Sequence, residues 1–125
     1  MPLSTQFERQ KYLNIETFRK SGEGVRTPVW FAQEGETLYI VTLADSGKVK
    51  RIRNNRRVNI AVCKMNGKLT GAWISAQARE ITDPEIVTKV DRMLDKKYGM
   101  MKKLFDNQRA QKSAKDILLE IRFGD

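Results

Sequence analysis

The stretch SGKVKRIRNNRRV, residues 46–58, carries six basic side chains and no acid. Its first residues have the make-up of a phosphate-binding turn. Val49 and Ile52 fall three apart among basic residues, the spacing of a short helix with one apolar stripe, and Asp45 or Ser46 would cap it. Amide hydrogens at such a helix start point outward, the helix dipole favours negative charge, and Lys48 adds a full positive charge. Gly47 would let an anion come close. The segment is not a Walker P-loop, because the earlier glycine of GxxxxGK[ST] falls at Thr42 and Val49 follows Lys48. The competing reading is a solvated basic helix capping the fold, and for Lys50, Arg51 and Arg53 a solvated face is the commoner role.

The net charge of +9 is concentrated in two places. Residues 46–58 contribute +6, residues 96–115 another +6, and the rest of the 125-residue chain sums to −3. Local basicity of this kind indicates a defined anionic partner, a phosphate, a polyanion or a nucleic acid. Single-strand nucleic-acid binders interleave basic residues with stacking aromatics, and here the two basic stretches hold only Tyr98 and Phe105. The phosphate of a small cofactor is therefore the favoured anion. There is no histidine, which removes Ser-His-Asp hydrolysis, Cys-His thiol catalysis and nearly every zinc site, so no metal site is expected and any enzymatic chemistry is borrowed. Cys63 is the only cysteine and lies in the apolar run VNIAVC, as expected of a buried thiol in a reducing, cytoplasmic compartment. No signal sequence or membrane span is expected.

The elements that position these residues follow from periodicity. Tyr12–Arg19 reads as a strand, with a short helix around Phe7 before it. Val25–Phe31 alternates Val25, Val29 and Phe31 with Arg26, Pro28 and Trp30, and Thr37–Leu43 returns beside it as an antiparallel hairpin. Val58–Cys63 and a long Leu69–Ile81 carrying Trp73 flank the Asn66-Gly67 turn signal, and Ile117–Phe123 is the last strand. Asp83-Pro84-Glu85 opens a helix with a capping carboxylate, a proline at the first helical position and an acid facing the positive dipole end. Ile86, Val90, Met93, Leu94 and Tyr98 give it an apolar face, Gly99 ends it, and residues 100–115 form a basic excursion. The expectation is a single domain over residues 1–125, mainly β with short helices, built as a six-stranded antiparallel barrel.

Thr-Pro-Val-Trp-Phe at 27–31, Tyr39-Ile40-Val41-Thr42, SGKVKRIR from Ser46, Arg57-Val58, Gly71-Ala72-Trp73 and Lys97-Tyr98-Gly99 together resemble the pyridoxamine 5′-phosphate oxidase-like split β-barrel family. The branch they resemble is that of the flavin (FMN) and deazaflavin (F420) dependent oxidoreductases. The likeness covers nearly the whole chain; Arg56 departs from it, standing where the family commonly has proline. What the resemblance implies is a homodimer with cofactor sites at the subunit interface. Thr27, Pro28, Val29 and Trp30 would line the ring, and Thr42, Ser46, Lys48 and Lys50 would hold the phosphate. Arg51 and Arg53 would extend the anion site towards a polyglutamate tail if the cofactor is F420, while Trp73, Ser75 and Arg79 would reach in from the partner. FMN and F420 remain equal alternatives.

The implied activity is hydride transfer between the bound cofactor and a small reducible substrate, with the protein supplying placement and electrostatics and no catalytic acid. Two other functions compete with it, a non-catalytic FMN or F420 carrier and a single-stranded nucleic-acid-binding barrel. Haem binding, known among related barrels, is disfavoured by the lack of an axial histidine. Several residues also have plainer readings. Trp30 and Trp73 suit packing aromatics, Arg79 and Glu80 a surface ion pair, Tyr98 helix-face packing, Cys63 core, and Met100-Met101 with Lys102-Lys103 a loop rather than a lid.

Overall fold

The computed structural model describes residues 3–99 and 116–124, and in them the alternating apolar residues form one seven-stranded antiparallel sheet. A short 3-10 helix, Leu3–Phe7, leads into β1 (Leu13–Phe18), β2 (Gly24–Val29), β3 (Ala32–Glu34) and β4 (Thr37–Leu43). Helix α1 (Gly47–Asn54) follows, then β5 (Arg57–Val62), β6 (Ile74–Ile81), helix α2 (Pro84–Tyr98) and β7 (Asp116–Phe123). The strand order is β2-β1-β5-β6-β7-β4-β3.

That order forces the sheet to curl. Its two edge strands, β2 and β3, are joined only by Trp30 and Phe31. Six inter-strand spacings laid flat would separate the edges by about 29 Å, whereas the three peptide steps from Val29 to Ala32 reach at most about 11 Å. The sheet closes to a half-barrel around Leu13, Ile15, Leu38, Ile40, Ile60, Leu119 and Ile121, all fully buried. Phe31 is also fully buried and packs edge-on against Phe7, with ring centroids 6.1 Å apart.

Two expectations change here. The expected strand 25–31 ends at Val29 and pairs with β1, and a separate strand, Ala32–Glu34, pairs with β4 through a two-residue turn with Gly35 at φ 58. This raises the strand count from six to seven. The expected strand 69–81 starts only at Ile74. Leu69 bridges Cys63, but the register against β5 shifts by two residues before Ile60↔Ile74, so residues 70–73 bulge from the ladder with Trp73 among them. The excursion 100–115, with its Met100-Met101 and Lys102-Lys103, lies outside the described residues. Among the described residues no helix is long and apolar enough to cross a membrane.

Helix α2 begins as its sequence dictates: Asp83 accepts from the Glu85 amide and Pro84 takes the first turn. It lies on the outer face of β3, β4 and β7, where Val90, Leu94 and Tyr98 pack on Ala32, Tyr39 and Leu118. Its last residue ties the closure together. The Tyr98 hydroxyl accepts from the Phe31 amide at 3.0 Å and shares its proton between the carbonyls of Lys11 at 2.8 Å and Phe31 at 3.1 Å. Its ring stacks on Trp30, centroids 4.3 Å apart and planes 9° from parallel. Burial pushes the Tyr98 phenol up to about 12, so the hydroxyl keeps its proton through the neutral range.

Further along the outer face, buried Glu120 of β7 accepts from Arg79 of β6 and from Arg122, both at 2.8 Å. Burial alone would raise this carboxyl, but the two guanidinium hydrogen bonds and their charges outweigh it and hold it below the ordinary range.

Tyr98→Phe should leave the Trp30 stack in place but strand the Phe31 amide, lowering stability by about 1–3 kcal/mol in urea unfolding. Glu120→Gln should lose about 1–3 kcal/mol at pH 7. The folded Glu120 pKa lies below its model-peptide value of 4.5. Its contribution is therefore complete above that value and disappears as pH falls through the folded one. Wild type and variant should converge in acid-unfolding curves.

Candidate functional site

Where the sheet splits, a cleft of about 380 Å³ opens between β2, the end of β4, the start of α1 and the side of α2. Thr27, Pro28, Val29 and Trp30 form one wall, and Thr42, Ser46 and Lys48 line the cleft from β4 and α1. Among the described residues β2 is an edge strand, so one side of its backbone is not committed to the ladder.

The start of α1 is built by Ser46. Its amide donates to the Leu43 carbonyl at 3.0 Å, turning the chain at the end of β4. Its hydroxyl accepts from the Val49 amide at 3.4 Å and lies 3.4 Å from the Thr42 hydroxyl. Of the two candidate caps, Ser46 is the one used. Val49 and Ile52 are buried as their spacing required. The room left by Gly47 is occupied by the Arg51 guanidinium, whose Nη1 would stand 2.7 Å from any added Cβ. Arg51 is fixed by donating to Thr17 Oγ1 at 2.6 Å.

Lys48 is half-buried at this end of the cleft. Burial pushes its pKa down, and the nearby Arg51 charge pushes the same way. Among the described residues no carboxylate neutralises it. An ammonium so placed gains from any anion that enters.

The remaining expected residues stand elsewhere in the single chain. Lys50 is exposed on α1, and Arg53 donates to Glu80 at 2.6 Å. Arg79 pairs with Glu120 rather than Glu80, because neighbours on a strand point to opposite faces. Ser75 sits opposite Asn59 on β5, and Trp73 lies under the Arg26 guanidinium, 4.9 Å from its ring centroid. Arg26 in turn donates to Glu16 at 2.9 Å, which also accepts from Asn59 at 2.9 Å.

The cleft also contains residues that sequence reasoning missed: Tyr12, Val41, Leu43, Asp91, Leu94 and Asp116. Leu94 was visible as part of an apolar helix face, though not as a cleft residue. Nothing local marks Asp91 or Asp116, since each reaches the cleft only through the packing of α2 and β7 around it. Cys63 is buried away from the cleft lining, and burial pushes its thiol pKa up, which suits a core role.

Solved structures share this architecture. A conserved hypothetical protein from Mycobacterium tuberculosis matches at a TM-score of 0.73 and 18% identity, over 100% of this chain and 82% of its own. The haem storage protein HutZ from Vibrio cholerae matches at 0.72 and 15%, over 100% and 92%. An F420 reductase matches at 0.62 and 16%, over 98% and 93%. At these identities the likeness is one of fold. No curated protein sequence matches the chain. The profile described as pyridoxamine 5′-phosphate oxidase, however, matches residues 3–124. With that match over nearly its whole length, and a split barrel to go with it, the chain belongs to the pyridoxamine 5′-phosphate oxidase family.

Proposed function

We propose that the cleft holds a flavin or deazaflavin, FMN or F420, and that the protein is an oxidoreductase passing a hydride between that cofactor and a small reducible substrate. The observation that carries this reading is Lys48, a half-buried ammonium without a carboxylate partner among the described residues, set where a capped helix start meets an uncommitted strand edge. Thr42, Ser46 and Lys48 hold the phosphate in this reading. Thr27, Pro28, Val29 and Trp30 bear on the ring, largely through the backbone. The bound group supplies the hydride chemistry. The chain's own work is to orient it, exclude water and stabilise negative charge through backbone amides and Lys48.

A homodimer completes the site. Trp73, Ser75 and Arg79 lie outside the cleft lining of their own chain and meet a cofactor only from a second copy. Lys50 and Arg53 are the weakest members of the set, because Lys50 is exposed and Glu80 already neutralises Arg53. Arg51, whose only described side-chain hydrogen bond is to Thr17, is better placed to extend the anion site. Buried Cys63 suits a reducing, cytoplasmic setting.

Titrating the apoprotein with FMN and with F420, following quenching of cofactor fluorescence, should show saturable binding of one of them. Lys48→Ala should weaken it by about 1.5–3 kcal/mol, or roughly 10- to 150-fold. Unchanged affinity in a folded variant would overturn the phosphate assignment. Turnover of electron acceptors by the reduced holoprotein separates an enzyme from a carrier.

A further inference from the structure

A second groove, of about 500 Å³, runs between the 3-10 helix, β3 and α2 and shares no lining residue with the first cleft. Met93 supplies its accessible apolar surface, with Phe7 and Ala32 buried beneath the floor, and Arg9, Lys96 and Lys97 line it with a single acid, Glu8. Its size falls within the range of about 300–1,000 Å³ typical of small-molecule sites.

Lys97 is the unusual member. Its Nζ stands 3.5 Å from the Phe31 ring centroid and donates to the Phe31 carbonyl at 2.9 Å, which uses one of three N–H donors. Burial lowers its pKa to about 8, the Lys11 charge adds to the effect, and no carboxylate among the described residues offsets it. Arg9 lines the same groove at φ 63, a left-handed conformation that a non-glycine residue adopts only against a steric penalty. The buried or partly buried carboxylates are satisfied by opposite charges, Glu120 by Arg79 and Arg122 and Glu16 by Arg26, and among the half-buried lysines Lys97 shares its lack of a described carboxylate partner only with Lys48 of the first cleft. In the groove, three basic side chains stand beside apolar surface with one lining acid, Glu8, among the described residues.

We propose that this groove binds a small amphipathic anion, its apolar body on Met93 and the aliphatic stems of Lys96 and Lys97 and its carboxylate or sulfonate head on the Lys97 ammonium. Arg9 and Lys96 supply longer-range attraction at the rim. The site is independent of the cofactor cleft, and its occupant is a second ligand rather than part of the cofactor.

The test is a fluorescence titration with 8-anilinonaphthalene-1-sulfonate, an aromatic monoanion, against the wild type, Lys97→Met, Lys97→Arg and Lys48→Ala. Saturable binding is expected at one site, weakened at least about tenfold by Lys97→Met, largely retained by Lys97→Arg and unchanged by Lys48→Ala. Loss with Lys48→Ala instead would put the probe in the cofactor cleft and overturn the proposal. Undiminished binding by a folded Lys97→Met would reduce Lys97 to a brace for the Phe31 carbonyl. Should Lys97→Met fail to fold, the methyl resonance of Met93 in the unaltered protein decides: it must shift as the probe saturates, and a static signal would sink the idea.

Discussion

Two residues, Trp30 and Phe31, must carry the chain from one edge of a seven-stranded sheet to the other, and the fold is organised around that short crossing. No flat sheet can satisfy it, so the barrel, the split and the cleft beside the split are consequences of one chain-length constraint. The crossing is clamped from outside by Tyr98. Its hydroxyl serves both polar groups of the Phe31 backbone and the Lys11 carbonyl, and its ring covers Trp30. A buried hydroxyl with its donor and acceptor both engaged defines position more sharply than apolar contact alone. Helix α2 therefore does more than cover a sheet face. Its last residue sets the backbone leading out of Thr27–Trp30, while its Asp91 and Leu94 close the cleft.

Charge is sorted by the same architecture. Several basic side chains that looked equivalent in the sequence are neutralised on the outer surface, Arg53 by Glu80 and Arg79 with Arg122 by Glu120. Pairs of this kind, with well-exposed arginines, contribute modestly to stability. Lys48 and Lys97 are different: both are half-buried, both have a lowered pKa from burial, and neither has a described carboxylate partner. Desolvating a cation without compensation opposes folding. The fold keeps two such cations, each beside a concave surface, and these are the two places proposed to receive anions from outside the chain.

Much of this was legible beforehand, and the reasons are local. Val49 and Ile52 three apart, Asp83-Pro84-Glu85 at a helix start and the alternation in β1, β4, β5 and β7 all report interactions within a few residues along the chain. The capped helix start at Ser46 was likewise visible, because a cap and its helix are neighbours in sequence. Missed were the break at Trp30-Phe31 and the late start of β6. Apolar alternation runs through both, and only the pairing partners reveal that β2 belongs with β1 while residues 70–73 leave the ladder.

The sequence by itself determined most of the elements, the cap of α2, the local excess of positive charge and the family to which the chain belongs. Those depend on contacts of short range or on motif order. Only the tertiary structure decided which cations keep their charge uncompensated, which residues share a cleft, and that a second basic groove exists. Such properties depend on side chains brought together from 27–30, 42–48, 91–94 and 116 in one case, and from 7–9, 32–35 and 93–97 in the other. Distances across a folded sheet are set by strand order and curvature, and neither is written in any single stretch of residues.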